Sequence, residues 1–113
     1  MVLDSVDNDA ATRRQAGVYL HLTSLPGSYG IGEIGAAARA FIDTMRRMEL
    51  SVWQFLPLGP TAYGDSPYQP LSTFAGNEML VDIGNLIELG LLTDEEVEEL
   101  TTLPDRYVDY GTL

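Results

Sequence analysis

Two short apolar runs, residues 17–22 (GVYLHL) and 52–58 (VWQFLPL), flank a stretch whose apolar residues recur at helical spacing, and that order limits the fold more than any other feature. The first run carries Val18 and Tyr19 and ends in a Thr-Ser-Leu-Pro-Gly turn signal, the marks of a short buried strand and its following loop. Ala38, Phe41, Ile42, Met45 and Met48 then fall on one side of a helix, with Arg39, Asp43, Arg46 and Arg47 on the other. The second run is apolar on both faces except at Gln54, which predicts a parallel strand enclosed between layers. Strand, helix, strand in this order is a βαβ unit, its parallel strands joined by a right-handed crossover. Both strands therefore end on the same edge, and the loops opening at Leu22 and Pro57 emerge side by side.

The second of these loops runs from Pro57 to Asn77, far beyond the ~2 to 6 residues usual for such connections, and long connections of this type tend to carry function. Residues 59–69 (GPTAYGDSPYQ) set Tyr63, Asp65, Ser66 and Tyr68 in a frame shaped by Gly and Pro. This is the equipment of a sugar site: an aromatic face stacks on the apolar C–H side of a pyranose, and carboxylate and hydroxyl take its hydroxyl groups. A pre-shaped loop also loses little entropy on binding. The same residues read equally as a plain turn or helix start, with Ser66 as N-cap and Pro67 at the first helical position. A turn separates Tyr63 from Tyr68, so their rings need not face the same way.

His21, the only histidine, stands at the predicted end of the first strand. Two readings fit it: a polar group facing substrate, or a hydrogen-bonded residue shaping the Thr23–Ser24 loop. Trp53 lies inside an apolar strand and reads as core rather than as a sugar platform. Tyr29-Gly30-Ile31-Gly32 lacks the third glycine and the lysine of phosphate-binding loops and reads as a tight turn.

Residues 1–15 are polar, acidic and without periodicity, and are expected to form a poorly ordered lead-in to a single domain over 16–113. Past Glu78 the chain reads as short, locally capped pieces. Leu86–Leu89 is predicted as a helical turn or two stopped by Gly90, and Thr93-Asp-Glu-Glu96 as a capping box opening a further helix. The carboxylates from Asp94 to Glu99 suit a solvated helix start, whose dipole they complement, and lack metal-ligand spacing.

Seventeen acidic residues oppose six basic ones, all arginine, for a formal net charge of −11. Such a surface repels phosphate backbones and anionic lipids, which argues against nucleic acid and membrane partners. It also resembles the surfaces of proteins from salt-accumulating cells, where carboxylates hold water and salt screens their repulsion. Without cysteine there is no disulfide, thiolate chemistry or Cys-based zinc site. The longest apolar run is broken by Gln54 and Pro57 and falls far short of the about 20 residues of a membrane span, and with no signal peptide in view the cytoplasm is the expected location.

In order and spacing, residues 17–27 (GVYLHLTSLPG) with 29–32 (YGIG), 52–60 (VWQFLPLGP), 63–69 (YGDSPYQ) and 72–77 (STFAGN), and more weakly 108–111 (VDYG), form a pattern that covers nearly the whole chain. It resembles the N-terminal part of the 4-alpha-glucanotransferases, the amylomaltases or disproportionating enzymes related to the alpha-amylases. The resemblance implies an α/β fold, the N-terminal part of a (β/α)8 TIM barrel truncated after about two of its strands plus short helices. A complete barrel takes about 250 residues, so a chain of 113 is expected to be a fragment. Barrel enzymes carry their sites at the C-terminal ends of the strands, which turns the loops opening at Leu22 and Pro57 toward substrate.

By the same resemblance Ser66 and Tyr68 line the donor side of the active groove, Asp65 contacts substrate or fixes the loop, and Tyr63 matches an accessory glucan contact outside the groove. With His21 these are the candidate substrate-binding residues. No catalytic residue is expected here, because the nucleophile, the acid/base and a third aspartate of the retaining chemistry belong to later barrel strands. The implied activity is transfer of 1,4-alpha-glucan segments between maltodextrins by double displacement, with neither an organic cofactor nor a metal. The implied partners are maltooligosaccharides and the remaining part of the barrel. Two alternatives stay open: a noncatalytic glucan-binding remnant and a partner-dependent half-barrel.

Mutual repulsion among the carboxylates and a small apolar core make folding salt-dependent. In a titration from dilute buffer to molar potassium chloride, helical circular dichroism and compact elution on size exclusion are expected to rise together. Full cooperative folding as a monomer in dilute buffer would contradict this.

Overall fold

The computed structural model describes residues 14–113, so all but the last two residues of the expected acidic lead-in lie outside the described part. Strand β1 (Gly17–Tyr19) pairs in parallel with β2 (Val52–Gln54) in the register Gly17↔Val52, Val18↔Trp53 and Tyr19↔Gln54, and helix α1 (Ala36–Arg47) connects them. Strand, helix and parallel strand thus follow in the expected order. Both strands are shorter than the apolar runs that encode them. The Ser51 N–H donates to the Ala16 carbonyl at 2.9 Å and the Leu20 N–H to that of Gln54 at 3.0 Å, and pairing then ends. Beyond it Leu22–Ser24 coils into a 3₁₀ turn, and the Leu20 carbonyl accepts from the Trp53 indole N–H.

Leu22, Leu25, Ala38 and Leu80 form the buried cluster, with Leu20, Phe41, Trp53 and Leu58 packed around it. Trp53 is core, as its place in the strand predicts. Its ring meets Phe41 edge to face at 4.8 Å and Phe55 at 5.7 Å, and its Nε1–H donates to the Leu20 carbonyl at 2.8 Å. The expectation of a second strand enclosed on both faces is corrected. Trp53 turns toward α1, whereas Val52, Phe55 and, on the neighbouring strand, Tyr19 are exposed. Among the described residues α1 covers one face of the sheet only, so the strands alternate as half-buried strands do. Ile42 and Met48 are likewise exposed, because the apolar stripe of α1 is wider than its contact with two short strands.

Helix α1 ends in a Schellman motif, with the Leu50 N–H donating to Met45 at 2.9 Å and the Glu49 N–H to Arg46 at 3.1 Å. The motif needs a left-handed residue, and Glu49 fills that position at φ 58° where glycine is usual. The tight turn read at residues 29–32 is present: the Gly32 N–H donates to Thr23 at 3.1 Å, and any side chain at Gly32 would run into the Leu22 carbonyl.

The second helix, α2 (Ile83–Glu88), starts earlier than the apolar pattern indicates. Two carboxylates hold its first turn: Asp82 Oδ1 accepts from the Asn85 N–H at 3.0 Å and Glu33 Oε1 from the Ile83 N–H at 3.3 Å. Asp82 also takes a 3.1 Å bond from Arg39, which ties α1 to α2. Gly90, at φ 69°, closes α2 as expected. The capping box at Thr93 forms too, with the Thr93 N–H and Oγ1–H both donating to Glu96 at 2.9 Å, and these bonds lower the Glu96 pKa. The helix expected after it is replaced by a turn and a 3₁₀ segment, Glu98–Thr102. Its clustered carboxylates repel, and the Thr101 and Thr102 hydroxyls donate to the Glu98 and Glu99 carbonyls at 2.7 Å, competing with a helical ladder. Among the described residues no helix is long and apolar enough to cross a membrane.

Two stability outcomes follow. Glu49→Gly removes a left-handed strain of roughly 1–2 kcal/mol, less the extra freedom glycine has in the unfolded chain. The expected net gain is about 0.5–1 kcal/mol, read as a rise of about 2–8 °C in the melting temperature. Glu33 has its carboxyl pKa raised, chiefly by burial and further by the Asp82 charge, although its bond from Ile83 opposes this. A raised folded-state value means that Glu33 adds stability below its unfolded pKa and loses it as pH climbs through the folded one. Glu33→Gln keeps the acceptor without the charge. It is expected to raise the melting temperature at neutral pH and to flatten its decline as pH rises above the ordinary carboxylate range in a series of thermal melts.

Candidate functional site

Because β1 and β2 are parallel, both chains leave the sheet at one edge, and there the loops that follow them enclose a cavity of about 230 Å³. His21, Thr23 and Ser24 reach it from the first loop, and Leu56, Pro57 and Leu58 form its apolar side. Asp65 and Asn77 enter from the long loop and Tyr110 from the C-terminal segment. The long loop is no loose excursion. The Ala62 N–H donates to Gln69 at 3.2 Å and the Leu71 N–H to Pro60 at 3.1 Å, so its two arms run antiparallel around a bridge between Thr61 and Pro70. Asn77 fastens its base, donating from Nδ2 to the Gly59 carbonyl at 3.3 Å while its Oδ1 accepts from the Met79 N–H at 3.1 Å.

At the tip, Tyr63–Asp65 forms a single 3₁₀ turn with two consecutive left-handed residues, Gly64 at φ 74° and Asp65 at φ 53°. Glycine adopts this freely and aspartate is among the side chains that tolerate it. Of the candidate residues at this tip, Asp65 borders the cavity, as does Pro67 beyond it, whereas Ser66 and Tyr68 do not. Ser66 instead shapes the turn: its carbonyl accepts from the Gln69 N–H at 3.1 Å, and its hydroxyl lies 3.4 Å from the Tyr68 N–H. No helix begins there. Tyr68 is 69% exposed, its ring free to meet a partner from outside. The Tyr63 side chain lies outside the described part of the structure, so the accessory contact expected of it is not located.

His21 precedes the 3₁₀ turn, and its carbonyl accepts from the Ser24 N–H at 3.0 Å. Its ring Nδ1 is buried without a hydrogen-bond partner, and burial lowers the imidazole pKa. The loop is therefore shaped by the His21 backbone and not by its side chain. The parallel strands bring His21 and Asp65 together, as the shared strand edge predicts. Tyr110, Thr61 and Asn77 are lining residues that the sequence reading did not single out. For Tyr110 the available signal was its place in the 108–111 block; Asn77 closes another. A broader groove of about 540 Å³ runs past Tyr29, Glu33, Asp82 and Asp105 at the start of α1 and contains none of the candidate residues.

Chemically the cavity offers neutral donors and acceptors on an apolar wall, with Asp65 as the one carboxylate among its described lining residues. It can hold a polar ligand. It cannot supply the paired carboxyls, about 5 to 5.5 Å apart, of retaining glycoside chemistry.

Comparison with known proteins agrees over most of the chain. The glycoside hydrolase family 77 model, described as 4-alpha-glucanotransferase, matches residues 20–113. The 4-alpha-glucanotransferase of Streptococcus pneumoniae is 51% identical over 102 residues, which is 89% of this chain and 20% of that protein. That of Thermus thermophilus is 48% identical over 100 residues, covering 88% of this chain and 19% of its own length. The solved amylomaltase from Streptococcus agalactiae in complex with acarbose superposes with a TM-score of 0.82 at 41% identity, over 89% of this chain and 21% of that one. The chain thus spans about a fifth of the length of the curated relatives it matches. With the matched model reaching from the end of the first strand to the last residue, the chain belongs to the 4-alpha-glucanotransferase family.

Proposed function

We propose that this chain supplies part of the glucan-binding groove of a 4-alpha-glucanotransferase and none of its catalytic carboxylates. The observation that carries the reading is the cavity at the common edge of the two parallel strands, where His21 and Asp65 converge from different loops. In this reading Tyr68 offers an exposed ring for a sugar face, Ser66 sets the turn that presents it, and Asp65 binds a sugar hydroxyl. Tyr63 makes an accessory glucan contact. The acarbose held by the solved relative fits a ligand of this class.

The reaction served is a retaining double displacement. A carboxylate attacks the anomeric carbon of a 1,4-alpha-glucan, the leaving glucan takes a proton from the acid/base, and the 4-hydroxyl of an acceptor glucan then gives its proton back to that group as it displaces the enzyme carboxylate. Both carboxyls come from further strands of a (β/α)8 barrel, and the exposed Tyr19 and Val52 mark the sheet face on which that remainder would pack. A cytoplasmic maltodextrin pool is the proposed setting.

The test pairs binding with turnover. Incubated with maltotriose, the chain is expected to release neither glucose nor longer maltodextrins, while calorimetry detects binding. Tyr68→Ala is expected to weaken that binding by roughly 1–3 kcal/mol, about 5- to 150-fold, with little change in melting temperature. Trp53→Phe is expected to do the reverse. Unaltered maltotriose affinity in Tyr68→Ala with a clear loss of stability would make Tyr68 a fold residue.

A further inference from the structure

Among the described residues, His21 Nδ1 is the one buried side-chain polar atom without a hydrogen-bond partner. An unpaired buried polar atom is costly, and more so when it carries part of a charge. An imidazolium has two N–H donors and would bury one of them unpaired. A neutral ring avoids that if its proton sits on Nε2, leaving only a bare lone pair at Nδ1. His21 lines the cavity of about 230 Å³ that Asp65 enters from the long loop and Tyr110 from the C-terminal segment. These are the titratable groups that line it with His21, and no arginine does. The Asn77 amide is engaged by Gly59 and Met79.

Resting on the glucan-binding reading above, we propose that His21 is a neutral donor: its proton stays on Nε2 and is given to an oxygen of an uncharged polyhydroxyl ligand in this cavity. His21 is then a specificity residue for sugar oxygens, neither a general base nor a cation. Burial of the ring also lowers its pKa, in line with this state.

Long-range proton–nitrogen spectra of the chain, in salt sufficient for folding, read the tautomer without any substitution. Above the usual imidazole midpoint of ~6.5, Nδ1 is expected at the frequency of an unprotonated nitrogen and Nε2 at that of a protonated one, with the midpoint itself below that usual value. Maltotriose titrations of three variants with native circular dichroism then locate the contact. The amide nitrogen of His21→Gln reaches where Nε2 stands and that of His21→Asn where Nδ1 stands. His21→Gln is expected to bind within about threefold of wild type, and His21→Asn and His21→Phe at least about tenfold more weakly. A protonated Nδ1 with intact maltotriose binding overturns this proposal alone, as does rescue by Asn but not by Gln. Failure of the wild type to bind maltotriose, with the Nε2–H ring present, overturns the ligand assignment together with the glucan-binding reading.

Discussion

Parallel pairing of β1 with β2 is the constraint on which the rest depends. An antiparallel pair would send the two following loops to opposite edges, and the His21 and Asp65 loops would then not meet. The pairing is only three residues long, and a bond from the Trp53 Nε1–H to the Leu20 carbonyl reinforces it where the first strand gives way to the turn. A bond of this type contributes about 0.5–1.5 kcal/mol net, a sizeable share for so short a ladder. Ring contacts from Phe41 seat the same indole against α1, so strand pairing and helix docking share one side chain.

How legible this was depends on the range of the interaction. The change of hydrophobic period, from the runs at Gly17 and Val52 to the helical spacing of Ala38 and Met45, is local and predicted the element order. The ends of the strands were over-read because an apolar run does not reveal where its partner stops, and the Leu22–Ser24 turn decided that. Burial on both faces was a property of layers, and α1 supplies a layer on one side only among the described residues. In the site, the common edge of the loops opening at Leu22 and Pro57 was legible from topology, and His21 and Asp65 line one cavity there. Which residues at the tip of the long loop reach the cavity was not legible, since the path of the loop depends on a left-handed turn at Gly64 and Asp65 that composition permits without requiring. Tyr110 reaches the cavity through closure of the C-terminal segment, an event with no local signature.

The long loop shows how a segment with little regular structure can still present a defined surface. Backbone bonds pair its two arms, and Asn77 locks its base by satisfying a carbonyl on one side and an N–H on the other. Conformational freedom is lost on folding rather than on binding, which is the condition for useful affinity from few contacts. The exposed Tyr68 ring needs such a frame, because a freely moving aromatic loses much of its binding free energy to ordering.

The same indole has a spectroscopic corollary. Trp53 is the chain's only tryptophan, and its ring nitrogen donates across to the neighbouring strand. Emission excited at the red edge of indole absorption, beyond that of the six tyrosines, therefore originates from one place, the junction of sheet and helix. Separation of the strands would bring water to the indole and shift that emission to longer wavelength, so the chain carries its own optical gauge of whether the structure beneath the cavity is assembled.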